Sequence, residues 1–107
     1  MHCKKGDIVL IKFPFTTLAQ SKKRPVLVMQ DENEQNDFVC FQITSKKSQD
    51  NIILVDGNDL GEGTLKLRSY VKYDKCFTLN SKIVERKLVT VNLEFMKKIK
   101  QLFCNNI

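Results

Sequence analysis

The side chains able to do chemistry are few and scattered. The one histidine is His2, and Cys3, Cys40, Cys76 and Cys104 contain no Cys-x-x-Cys pair among them. A zinc site asks for thiolates and imidazoles at short, paired spacing, so this arrangement speaks against one. Cys40 lies inside an apolar run and Cys76 beside Phe77, and both are expected as buried small hydrophobes rather than disulfide partners. There is no Gly-x-Ser-x-Gly elbow and no phosphate-cradling glycine loop, and Gly61-Glu62-Gly63 reads as a turn. Asp31, Glu32, Glu34 and Asp37 read as a solvated loop rather than a magnesium cluster. Neither a metal nor a cofactor is expected, which leaves reactions that need neither a metal nor an imidazole. One of these is RNA cleavage by the substrate's own 2′-hydroxyl. That nucleophile is tethered beside the scissile phosphate, so proximity supplies part of the acceleration. The protein must hold the phosphate and neutralise charge on its oxygens, tasks for a guanidinium and a hydroxyl. DNA lacks the nucleophile and would not react.

Eighteen basic residues against twelve acidic ones give a net charge of +6 over 107 residues. Lys4, Lys5, Lys12, Lys22, Lys23 and Arg24 crowd the first quarter of the chain, where Asp7 is the one acid. Such segregation is what a polyanion binder would show, and equally what lysines kept for solubility would show. The apolar runs at 8–11, 25–29, 38–41 and 52–55 fall far short of the ~18 residues that cross a bilayer. A single cytoplasmic domain spanning 1–107 is the expectation.

Positioning these groups falls to short segments rich in Val, Ile and Phe, punctuated by Asn, Asp, Ser and Gly. Strands are predicted at 7–13, 25–30, 38–44, 52–55, 69–72, 75–78 and 84–88, with breaks at 14–23, 31–37, 45–51, 56–63 and 79–82. Strands so closely spaced, with no long helices between them, indicate an antiparallel sheet or small barrel. The period then changes. Leu93, Met96, Ile99 and Phe103 recur at helical steps, Asn92 is a good N-cap and Glu94 suits the first turn, which predicts an amphipathic helix closing one side of the sheet.

Gly6-Asp7-Ile8-Val9-Leu10, Lys23-Arg24-Pro25-Val26-Leu27-Val28, Gln42-Ile43-Thr44-Ser45 and Asp74-Lys75-Cys76-Phe77-Thr78-Leu79 together resemble the MazF/PemK (Kid) toxins of bacterial type II toxin–antitoxin pairs, in order and spacing over nearly the whole chain. The Arg-Pro strand opening and the Ile-Thr-Ser strand ending are the most specific pieces. The resemblance implies a mainly β fold, an SH3-like small β-barrel with a C-terminal helix, packed as a homodimer. It implies sequence-selective, metal-independent cleavage of single-stranded RNA to 2′,3′-cyclic phosphate and 5′-hydroxyl ends, and an acidic, partly disordered cognate antitoxin. The catalytic pair carries over to Arg24 and Thr44. The family's Arg-x-Asp acid–base motif matches Lys72-Tyr73-Asp74, with lysine in place of the arginine, and the histidine some members carry in the first loop has no counterpart in 14–23.

Around these, Lys22, Lys23, Ser45, Lys46 and Lys47 are candidates for RNA contact, and Phe15 for stacking on a base. Each residue also has a plainer reading: Arg24 as a solubility residue at a strand start, Thr44 as a β-former, Asp74 as a turn cap or a partner of Lys72 or Lys75, Phe15 as core or dimer contact. Two rival functions stand beside the nuclease. One is a CcdB-like toxin that inhibits DNA gyrase on the same fold, and the other is a nucleic-acid-binding barrel without catalysis.

Overall fold

Both faces of the first strand are apolar, and that dictates much of the architecture. In the computed structural model, which describes residues 2–12, 23–48 and 50–106, β1 (Asp7–Lys12) carries Ile8 on one face and Val9 and Ile11 on the other, all fully buried. Alternate side chains point to opposite faces of a strand, so such a segment needs a core on each side. The chain continues through β2 (Lys23–Val28), β3 (Asp37–Thr44), β4 (Ile52–Leu54), β5 (Leu60–Glu62), β6 (Tyr70–Asn80) and β7 (Val84–Val91) to the helix α1 (Leu93–Asn105). The strands form one antiparallel sheet in the order β4-β6-β3-β2-β1-β7-β5.

Val71 of β6 and Val89 and Val91 of β7 have three strands between them in that order, yet they share one cluster with Ile8, Leu27 and Phe41. The sheet therefore curls around this core. Phe95, Met96 and Ile99 of α1 close it. A second cluster on the other face holds Val9, Ile11, Val26, Val28, Phe38 and Cys40. Gly6 makes the entry to β1 possible. Its φ of 96° is a conformation that side chains rarely adopt, and a Cβ there would lie 3.3 Å from the Val91 carbonyl oxygen.

The mainly β fold with a closing helix is as expected, with local corrections. Segments 69–72 and 75–78 belong to one strand, β6, because Asp74 sits in an irregularity of the β3–β6 ladder and does not end it. Gly61 and Glu62 belong to a short edge strand paired with β7, inside what reads as a break. In the helix, Leu93 is 71% exposed and Phe95 is buried instead, since the apolar stripe runs through 95, 96, 99 and 103 and leaves the first turn at the sheet's margin. Asn92 does cap the helix, its Oδ1 accepting the Phe95 N–H at 2.9 Å. All four thiols are free. Cys3 and Cys40 are buried, which pushes them up to about 11 and about 12, but Cys76 is exposed, although it pairs with the buried Phe41.

The acidic loop also differs from a solvated one. The Glu32 side chain is only 4% exposed and clamps the N-terminal segment. Its Oε1 accepts the Cys3 N–H at 2.5 Å, and its Oε2 accepts from Asn36 Nδ2 at 2.7 Å and Ser81 Oγ at 3.3 Å. Asp31 Oδ1 accepts the Lys5 N–H at 2.7 Å. The Asn36 amide, then the Cys3 N–H, hold the Glu32 carboxyl below the usual carboxylate range. A depressed folded-state pKa contributes stability that is present above the unfolded value, about 4.3, and lost as pH falls through the folded one. Glu32→Gln, which cannot accept from all three donors, should therefore lower the urea midpoint at pH 7. The gap from the parent should narrow steadily below about pH 4, and a gap independent of pH would refute the role given to the charge.

Candidate active site

Arg24 and Thr44 lie at the same end of two neighbouring antiparallel strands, β2 and β3. The pairs Val28↔Cys40 and Val26↔Gln42 join β2 to β3, and Arg24 and Thr44 each lie two residues beyond the last of these pairs, on the face of Val26 and Gln42 by strand alternation. Thr44 in turn pairs with Tyr70 of β6, which pairs with Leu54 of β4. One row thus joins β3, β6 and β4 at the rim of the sheet, with Arg24 of β2 at the same end. Arg24 is exposed and Thr44 nearly buried, so the guanidinium is presented to solvent while the hydroxyl is held by the sheet end. Thr44 Oγ1 accepts the Lys46 N–H at 3.1 Å, which orients it where the chain leaves β3.

Lys72 belongs to the next row on the same face, paired with Gln42 of β3 and Ile52 of β4. Just after it the β3–β6 register breaks: Gln42 pairs with Lys72 but Phe41 with Cys76, so 73–75 form an extra stretch on β6. Such bulges re-aim side chains and recur beside active sites. Here the bulge sets Asp74 Oδ1 3.2 Å from Lys72 Nζ. Lys72 Nζ also donates to the Asp50 carbonyl at 2.9 Å, and Asn51 Nδ2 donates to Asp74 Oδ2 at 3.1 Å. Burial alone would raise the Asp74 carboxyl. The hydrogen bonds from Lys72 and Asn51, with the Lys72 charge, outweigh burial and hold it below the usual range. Asp74 is thus an anion at neutral pH, able to accept a proton, while its ion-paired lysine offers a cation to phosphate.

The candidate RNA contacts divide. Ser45, Lys46 and Lys47 are exposed directly after Thr44. Lys23 lies on the opposite face of β2 from Arg24, its ammonium 2.9 Å from Glu85 Oε2, with Lys12 4.0 Å from the other oxygen of that carboxylate. Lys22 and Phe15 lie outside the described residues. Among the described residues, no three His, Cys, Asp or Glu side chains converge as metal ligands. Leu54, at the end of the Thr44 row, also lines a groove of about 410 Å³ with Leu65, Lys66, Leu67 and Arg68. Sequence reasoning passed over Asn51 and this groove. An Asn inside a turn does hint at a left-handed backbone, but only the fold shows that it meets Asp74.

A family model described as the PemK-like, MazF-like toxin of type II toxin–antitoxin system matches residues 4–107. Among solved structures, the chain is similar to MazF in a MazE–MazF crystal from Deinococcus radiodurans, with a TM-score of 0.78, 16% identity, and 97% of this chain and 94% of that one covered. It is similar to an endoribonuclease in complex with its cognate antitoxin from a Mycobacterial species, with a TM-score of 0.72, 17% identity, and coverage of 96% and 90%. A second Mycobacterial endoribonuclease gives a TM-score of 0.70 at 19% identity over 96% and 88%. At these identities the likeness shows the fold. Comparison with curated proteins found no match.

Proposed function

This chain belongs to the PemK-like, MazF-like toxins of type II toxin–antitoxin systems, and we propose that it is a sequence-selective endoribonuclease whose cleavage of single-stranded RNA runs through the substrate's 2′-hydroxyl. The observation that carries this reading is that Arg24 and Thr44 lie at the same end of β2 and β3, with Lys72, ion-paired to Asp74, in the row next to that of Thr44. In the proposed reaction the 2′-oxygen attacks the adjacent phosphorus and the bond to the 5′-oxygen breaks, leaving a 2′,3′-cyclic phosphate and a 5′-hydroxyl. Arg24 neutralises charge on the non-bridging oxygens in the transition state. Thr44 hydrogen-bonds the phosphate from a fixed position. Asp74 accepts the 2′-hydroxyl proton, and Lys72 stabilises the anion that gathers around the leaving 5′-oxygen, which takes up a proton from solvent to become the 5′-hydroxyl. Ser45, Lys46 and Lys47 line the path of the strand, and the groove bearing Lys66 and Arg68 extends it.

The partners in this reading are RNA, a second copy of the chain, and an acidic, partly disordered antitoxin drawn to the +6 surface in the cytoplasm. A solved relative is held with its cognate antitoxin. The test is incubation of the purified protein with a long defined RNA in excess EDTA. Discrete fragments with cyclic phosphate ends are expected, with single-stranded DNA of the same sequence left whole. Intact RNA beside inhibited gyrase supercoiling would establish the CcdB-like reading instead, and salt-dependent RNA binding without product would establish the binding barrel.

A further inference from the structure

The loop between β3 and β4 holds the bulge of β6 at three successive residues. The Asp50 carbonyl accepts from Lys72 Nζ at 2.9 Å, the Asn51 carbonyl accepts the Tyr73 N–H at 3.1 Å, and Asn51 Nδ2 donates to Asp74 Oδ2 at 3.1 Å. What lets two consecutive loop residues reach 72, 73 and 74 together is the backbone of Asn51, whose φ is 57°. This left-handed conformation is one that Asn, with Asp and Gly, adopts more readily than other residues. The loop is anchored immediately afterwards, because Ile52 opens β4 and pairs with Lys72 itself. A bulge three residues long has no ladder bonds to β3 to fix it, so this loop supplies what the sheet does not.

We propose that Asn51 is a positioning residue for the nuclease reaction: its left-handed backbone and its amide together hold Asp74 and Lys72 in the bulge, at the distance and orientation the proton transfer needs. The inference rests on the nuclease reading above. Asn51 itself touches no reacting atom. Its amide and Lys72 Nζ, at 3.1 Å and 3.5 Å, both donate to Asp74 Oδ2, so the carboxylate is held by that oxygen while the buried Oδ1 accepts no hydrogen bond among the described residues. The charged groups on the surrounding elements are Lys72 and Lys75 of β6 and Lys46, Lys47 and Asp50 of the loop, while β3 and β4 offer the uncharged Gln42 and Ile52. Of these, Lys72 alone stands within ion-pair distance of Asp74 among the described residues.

Two variants separate the backbone from the amide. Asn51→Gly keeps access to the left-handed conformation and removes the donor. Asn51→Asp also keeps that access and puts an anion beside Asp74. Removing a hydrogen bond to the ionised form raises a carboxyl pKa. The acid limb of single-turnover RNA cleavage should therefore move up by roughly half to one pH unit in Asn51→Gly and further in Asn51→Asp. Its plateau should drop about three- to tenfold because the pair is looser. Carbon-detected NMR titration of the Asp74 carboxyl should show the same upward order without any substrate. A parent that cuts RNA, with an Asn51→Gly variant of unchanged pH profile and unchanged Asp74 titration, overturns the assignment of Asn51 alone. A parent that leaves RNA intact overturns the nuclease reading, and the role of Asn51 in catalysis with it.

Discussion

Arg24→Ala should reduce single-turnover RNA cleavage by about 10²–10³-fold, a loss of roughly 3–4 kcal/mol of transition-state stabilisation, and leave the fold intact. The two halves of this expectation come from different facts. Arg24 is exposed at the first turn-side end of β2, and neither core cluster includes it, so its side chain contributes little to folding. Its backbone pairing with Ile11 of β1 survives the substitution. The catalytic loss is large because charge develops on the phosphate oxygens only as the 2′-oxygen attacks, and a guanidinium already in place meets that charge without reorganising. Arg24→Lys should recover only part of the rate, since an ammonium keeps the charge but loses the two-pronged fit to phosphate oxygens. Thr44→Val should also slow cleavage, at a small stability cost, because the Lys46 N–H that loses its acceptor belongs to an exposed residue. Rates on one defined RNA, with circular dichroism as the folding control, check all three. A well-folded Arg24→Ala that cuts at the parent rate would place the site elsewhere on the molecule.

How much of this was legible in the sequence depends on the range of the interaction concerned. Arg24 before Pro25 and Thr44 at the end of Gln42-Ile43-Thr44 are local signatures, and the antiparallel pairing of β2 with β3 then puts them at the same end of the sheet. The strands around Val9, Leu27 and Phe41 show in composition because they are buried on both faces. The helix shows through its cap and its stripe, yet the stripe alone misjudged Leu93, since which turn overhangs the sheet depends on where Asn92 meets the Asn58 carbonyl. Features set by distant partners left no such trace. Leu60–Glu62 is a strand only because the edge of β7 is there to pair with it. Asp74 looked like the end of a strand because aspartate is a poor strand former, while the loop 50–51 makes room for it in a bulge. Glu32 looked like one more acid in a solvated run until the N-terminal segment and Ser81 folded against it. Charge counting likewise could not foresee that Lys23 is matched by Glu85, 62 positions further on in the sequence, while Lys46 and Lys47 stay exposed beside Thr44.

Phe41→Ala should cost about 3–5 kcal/mol of stability, the largest structural effect expected of a single change in this chain. Phe41 is 1% exposed at the centre of β3, in the cluster with Ile8, Leu27, Ile43, Val71 and Ile99. Domains of this kind hold roughly 5–15 kcal/mol in total, so the loss takes about a fifth or more of it. Part of the cost is specific to the helix. The Phe41 ring lies 5.1 Å from that of Phe103 at 57°, a tilted contact that ties the last turns of α1 to the sheet. Phe103→Ala should cost less, because Phe103 is only partly buried and its loss opens toward solvent rather than leaving an enclosed void. In Phe41→Ala the amides of the helix C-terminal half should exchange faster than those of β1 and β2, because they lose their ring contact first. Thr44 lies three residues along the same strand, on the opposite face, and its register is set by Tyr70 as well as by β2. Cleavage per folded molecule should therefore persist well below the lowered unfolding temperature. Urea unfolding at 25 °C, with hydrogen exchange on the helix, measures both effects. A midpoint within error of the parent would mean that the core refills the space of Phe41, and that the ring pair does not hold the helix down.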